Sequence, residues 1–140
     1  MTEKMQRASQ PAAAVGSSNG PEDRQNYKNL LVWQKAMDLV TQVYLLSDKF
    51  PNTESYGLKS QIHRAAVSVP SNIAEGQARG STNSEFSRFI RIALGSLAEL
   101  DTQLELSIRL AYITEAEAEN TFALALEIRK MLFGLLKKLR

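Results

Sequence analysis

Residues 82–111 read TNSEFSRFIRIALGSLAELDTQLELSIRLA. Within them Phe86, Phe89/Ile90, Ala93, Leu97, Leu100, Leu104 and Ile108 recur at steps of three and four, which lays one apolar stripe along an α-helix. Ser81 or Thr82 can cap its start, and Glu85 stands near the reciprocal position of a capping box. About 30 residues at ~1.5 Å per residue make a rod of about 45 Å. A rod this long, half apolar and half polar, needs other helices of similar length to cover its stripe.

The flanking sequence supplies them. Upstream, Ala36, Leu39/Val40, Val43, Leu46 and Phe50 form a stripe over roughly 29–49, ended by Pro51, which lacks an amide donor and disfavours helical dihedrals before it. A second segment runs through Leu58, Ile62, Ala65/Ala66, Val69 and Ile73 to about Ala78, with Thr53 or Ser55 as its cap. Pro70 lies inside it and frees the Ala66 carbonyl, so a kink is expected there. A short strand at Val67–Val69 has no alternating segment to pair with. Downstream, Tyr112-Ile113-Thr114 forms a turn. Thr114 is a natural N-cap, and Glu115, Glu117 and Glu119 suit the positive end of the helix dipole. Phe122, Leu124/Ala125, Ile128, Met131/Leu132, Leu135/Leu136 and Leu139 carry the last helix to the C-terminus. Four amphipathic helices on short connections predict an all-α, antiparallel up-down-up-down four-helix bundle over 27–140. Residues 1–26, rich in Pro, Gly, Ser and Gln, read as a disordered tail. Its three cations and three carboxylates cancel.

At 140 residues and 44% hydrophobic composition the chain fits a single domain. It contains no cysteine and one histidine, His63, which removes disulfides, thiolate metal sites and a cysteine nucleophile, and leaves no set of ligands for a metal. Nothing resembles an oxyanion cradle or a glycine-rich phosphate loop, so no cofactor and no enzymatic activity are expected. No apolar run reaches the ~20 residues of a membrane span, and the first residues lack a secretory core, so the protein is expected to stay in the cytoplasm.

Two features exceed what a core requires. Ile92, Leu106 and Leu110 lie about 200–240° around the third helix from Phe86, opposite the core stripe. They read as a subunit interface, with ordinary exposed apolar residues as the alternative. The net charge is only +2, so any contact with nucleic acid must come from local clusters. Five cations and no acid fall between Arg129 and Arg140: Arg129, Lys130, Lys137, Lys138 and Arg140. Arg64, Arg88 and Arg91 precede them. These residues are the candidate phosphate contacts, although on the third helix ion pairing with Glu85, Glu99, Asp101 and Glu105 competes, and at the C-terminus so does dipole complementation.

At 64–79, RAAVSVPSNIAEGQAR, and at 93–104, ALGSLAELDTQL, the chain resembles the bacterial four-helix-bundle family named for proteins encoded in intervening sequences of 23S ribosomal RNA genes. Tyr27–Leu30 and Val32–Ala36 are similar to the family's usual start, so the likeness covers about 27–139. The resemblance implies a homopentameric ring, and a more distant kinship with the accessory protein of diversity-generating retroelements, which binds reverse transcriptase and nucleic acid. Carried onto this sequence, the family signature is Pro70, Ser71, Asn72, Glu75 and Gly76, then Gly95, Ser96, Glu99 and Leu100. Asn72, Glu75 and Ser96 are short polar groups in apolar surroundings, suited either to a hydrogen-bonded network between helices two and three or to a ligand or RNA contact. The expected function is that of a non-enzymatic, ring-forming bundle that binds RNA or DNA. The alternative is a protein-interaction scaffold or accessory subunit, for example of a reverse transcriptase.

Overall fold

The structure, a computed structural model, describes residues 26–139. The tail read at 1–26 thus lies, apart from Asn26, outside the described residues, as does Arg140. Four α-helices account for most of the rest: α1 Leu31–Ser47, α2 Leu58–Arg79, α3 Asn83–Arg109 and α4 Glu115–Lys138. Single 3-10 turns at Tyr27–Asn29 and Asn52–Glu54 precede α1 and α2. Each helix packs on the next, and α1 closes the ring on α4; the most extensive contact is between α2 and α3. All four expected helices are present, with ends displaced by one to three residues.

The stripes meet where their spacing directs them. Leu39, Ile62, Ile73, Ile90, Leu97, Leu100, Leu104, Ile128 and Leu132 are completely buried. They form one core drawn from all four helices. α2 runs unbroken through Pro70, whose ring is buried.

The helix ends follow the residues available. Thr114 closes a full capping box with Glu117: the threonine oxygen accepts from the Glu117 amide at 3.1 Å, and the Glu117 carboxylate accepts from the Thr114 amide at 2.9 Å. At α3 the cap is Thr82, whose oxygen accepts from the Glu85 amide, whereas the Glu85 carboxylate accepts a hydrogen bond from Ser81 Oγ instead of completing a box. Neither Thr53 nor Ser55 caps α2. Its first amide, on Leu58, donates to the Glu54 carboxylate at 3.3 Å, because the intervening 3-10 turn places an acid against the helix N-terminus, where the dipole favours negative charge. The other oxygen of Glu54 accepts from the Tyr112 hydroxyl at 2.8 Å, which ties the α1–α2 and α3–α4 loops together and holds the phenol above its usual pKa.

α3 ends in a Schellman motif, with the Tyr112 amide donating to the Ser107 carbonyl and the Ala111 amide to the Ile108 carbonyl, both at 2.9 Å. Ala111 occupies the left-handed position at φ 61°, where a glycine would escape the Cβ penalty.

Candidate nucleic-acid interface

Antiparallel packing decides which charges become neighbours. Arg129 on α4 pairs with Asp101 on α3, so positions further along α4 lie level with earlier positions on α3. Arg91, ten residues before Asp101, is therefore about 15 Å further along the bundle, and Lys137, eight residues after Arg129, about 12 Å in the same direction. The two side chains meet there, lining with Phe133, Gly134 and Leu136 an open groove of about 430 Å³. Arg88 lies one turn beyond Arg91, its guanidinium 4.6 Å above the Phe89 ring. Lys130, Lys137 and Lys138 are all exposed. Lys130 stands two turns before Lys137 on the same side of α4, and Lys138 turns about 100° away from it.

The opposite end of the same α3–α4 seam has the reverse charge. A groove of about 480 Å³ is lined there by Glu105, Glu115 and Glu119 with Ile108, Ala116 and Phe122. The chain's small net charge conceals two ends of opposite sign.

Not every candidate cation joins this cluster. Arg64 is exposed on α2. Since Ser68 on α2 meets Ser96 on α3, Arg64 is level with Leu100, about 13 Å short of Arg91 along the axis and on a different helix. Arg129 is committed to Asp101 and only partly exposed. The cluster is thus Arg88, Arg91, Lys130, Lys137 and Lys138, with Arg140 outside the described residues.

The signature residues divide among five surroundings. Asn72 and Ser96 do meet in a network between α2 and α3, through Ser68, which the sequence reading overlooked. The Ser68 and Ser96 hydroxyls share a hydrogen bond of 2.7 Å, and the Asn72 amide donates to the Ser68 carbonyl at 2.8 Å and to its hydroxyl at 3.0 Å. Ser96 also donates to the Ile92 carbonyl. Glu75 stands apart, since its carboxylate accepts from Arg79 one turn along at 2.8 Å. A carboxylate beside a cation at the helix surface is better solvated there than inside a neutral hydroxyl network. Gly76 is a packing position: a Cβ there would lie 2.9 Å from the Phe89 Cβ. Leu100 is core. Pro70 and Ser71 line an apolar groove of about 300 Å³ with Tyr27, Trp33, Met37, Val40, Val67 and Ala74.

Glu99 and Gly95 face outward. A Cβ on Gly95 would meet no atom within 4 Å, so packing within the subunit gives no reason for a glycine that costs an exposed helix about 1 kcal/mol relative to alanine. Ile92, Leu106 and Leu110 share this outward side, 41%, 45% and 50% exposed. They lie nearer α2, whereas Arg91 lies nearer α4. Beside them on the α2 side, Gln103 is buried with its Oε1 unpartnered.

His63 is wedged between α1 and α2. Its Nε2 shares a 2.7 Å hydrogen bond with Ser47 Oγ, and Tyr44 stacks on its ring at 3.8 Å. Ser47 is completely buried and also donates to the Tyr44 carbonyl. Burial and then the nearby Lys59 hold the imidazole below its ordinary pKa, against an opposing effect of Asp48. The arrangement clamps α1 to α2. Among the described residues no group of three His, Asp or Glu side chains is placed to hold a metal, and no helix is long and apolar enough to cross a membrane.

Taken as a class, this is a four-helix bundle with a cationic end, an acidic end and an apolar outer stripe. The chain belongs to the 23S rRNA-intervening sequence protein family, whose model matches residues 28–134. A crystal structure of a protein of unknown function from the S23 ribosomal protein family of Bacteroides thetaiotaomicron is similar to it. The two share 26% sequence identity at a TM-score of 0.68, over 76% of this chain and 99% of that one. No curated protein matches this chain.

Proposed function

We propose that this protein is a non-enzymatic, self-assembling bundle of the cytoplasm that binds nucleic acid, RNA in the first place, through its cationic end. The observation that carries this reading is the meeting of Arg91 and Lys137 in one groove, with Arg88, Lys130 and Lys138 close by and the acidic residues of the seam at the far end. Five side chains per subunit would replace counterions on nearby backbone phosphates, a capacity that a net charge of +2 does not reveal. Assembly into a ring, a homopentamer by the family resemblance, would repeat the cluster on each subunit and multiply a weak contact into a useful one. Ile92, Leu106 and Leu110, around the cavity-free Gly95, support self-association at a surface separate from the cations.

The same stripe supports a second reading, in which the bundle is a scaffold or accessory subunit, for example of a reverse transcriptase, and touches no nucleic acid itself. A salt titration of RNA binding separates the two. Five neutralised phosphates predict a slope of log K against log salt of about −3.5 to −4.5, single strands giving the shallower value. Absence of RNA retention at low salt favours the scaffold. The assembly is read independently: Ile92→Asp or Leu106→Asp is expected to yield a 15.6 kDa species in light scattering with helical circular dichroism intact. Unfolding instead would remove the interface.

A further inference from the structure

We infer that Phe133 is a stacking platform for an unpaired nucleobase, so that the cationic groove takes single-stranded RNA and not duplex. The inference rests on the nucleic-acid reading above and specifies its ligand. Phe133 is 55% exposed, although α4 has a complete core stripe without it in Ala118, Thr121, Ala125, Ile128, Leu132 and Leu136. Among the described residues the ring joins neither the core nor the side chains packed against it. It stands on the α3 side of α4, three residues after Lys130 and four before Lys137, so the two lysines bracket it on one helix face, one turn away in each direction. Arg91 approaches from α3 across the groove, and Gly134, where a Cβ would meet nothing within 4 Å, keeps the adjacent wall low.

An exposed aromatic ring ringed by cations and free of carboxylates is the arrangement that binds single strands: bases offer a π-face to the ring while phosphates reach the charges. A duplex keeps its bases stacked on one another and offers this groove only its backbone. The nearest carboxylate on α4, Glu127, pairs with Lys35; on α3 Asp101 pairs with Arg129, Glu85 accepts a hydrogen bond from Ser81, and Glu99 faces outward. Among the described residues nothing anionic lines the groove to repel the strand. A second copy of the chain suits it less well, since the apolar outer stripe of Ile92, Leu106 and Leu110 lies on the other side of α3.

The test uses the full chain and fluorescein-labelled RNA of about 12 nucleotides, as an oligoadenylate strand and as a blunt duplex of the same length, by anisotropy at low salt. The wild type is expected to bind the strand more tightly than the duplex. Phe133→Ala is expected to weaken strand binding about 5- to 150-fold, the range for loss of one base–aromatic stack, while leaving duplex affinity and the salt slope unchanged, because no charge is removed. Phe133→Trp is expected to retain strand affinity, with its indole emission quenched on titration. Equal strand affinity for wild type and Phe133→Ala overturns the platform. If Arg91→Ala and Lys137→Ala still weaken both RNAs and each lowers the slope by about one, the cationic site survives that failure. No binding of either RNA by the wild type overturns both readings. A fall in particle mass for Phe133→Ala by light scattering assigns the ring to a subunit interface and overturns the inference too.

Discussion

The seams on either side of α3 are built on opposite lines. Against α2 the helix presents small and neutral side chains, among them Ser96, with Gly76 opposite Phe89 and a chain of hydrogen bonds through Ser68 and Asn72. Against α4 it is joined by the Arg129–Asp101 pair, with an open groove on either side, one basic and one acidic. The tight seam spends its polar groups on itself. The loose one leaves charge and an aromatic ring free for something else. On the proposed function, the bundle holds itself together and meets its ligand at different seams of one helix.

Glycine substitutions put this contrast under the greatest strain. Gly76→Leu must displace the Phe89 Cβ, a part of that residue with no rotamer to escape into, and is expected to cost about 3 kcal/mol, the upper part of the overpacking range. Gly95→Ala and Gly134→Ala enter open space and are each expected to stabilise the subunit by up to about 1 kcal/mol through helix propensity. Urea denaturation checks all three. If Gly95→Ala raises subunit stability yet lowers particle mass, the glycine serves a neighbouring copy; equal losses at Gly76 and Gly134 would abolish the distinction between the seams.

A smaller effect tests the hydrogen bonds. Asn72→Ala removes two bonds to Ser68 and is expected to cost about 1–2 kcal/mol. In a double-mutant cycle with Ser96→Ala the losses should fall short of additive, since both act through the Ser68 hydroxyl. Full additivity would mean that the three side chains are neighbours without being a network.

The fold was legible because its signals are local and redundant. Stripes at steps of three and four, Pro51, Thr82 and Thr114 each mark a helix or its end without reference to distant residues. The α2 cap was misread because the expected hydroxyls fit the usual pattern, while the actual cap, Glu54, depends on a 3-10 turn that no periodicity announces. The network was half legible: Asn72 and Ser96 stand out as polar groups in apolar runs, but their link, Ser68, is found only by asking which residue stands four before Asn72 on the α3 side. Glu75 looked alike in sequence and differs because Arg79, one turn away, claims it. The cationic cluster was named as a set of residues, yet its division required the register of α3 on α4, a long-range quantity set by the packing of the whole core. Phe133 had a signal that was passed over, a large apolar residue between two lysines and off the core stripe.

The α1–α2 seam offers the mildest test, through pH, because its one titratable wedge sits between the two extremes. His63 is hydrogen-bonded to Ser47 and stacked on Tyr44, with Lys59 and Asp48 the charged groups that face it. Its folded pKa is below the ordinary value of about 6.5, so on acidification the unfolded chain takes up the proton first. Stability from this site is therefore fully present above about 6.5 and declines as pH falls from there toward the folded pKa. Glu117, held low by Lys49 and the Thr114 amide, begins to lose its contribution only around the ordinary glutamate value, well below the pH at which the His63 loss begins. Melting temperatures between about pH 7 and pH 5 should fall for the wild type and stay nearly level for His63→Gln, which keeps a side-chain amide within reach of Ser47 but cannot titrate. Parallel slopes for the two proteins would show that the clamp is indifferent to protonation. The hold of the α1–α2 seam on His63 would then rest, like the α2–α3 seam, on shape and neutral hydrogen bonds, which draw nothing from the charge that joins α3 to α4.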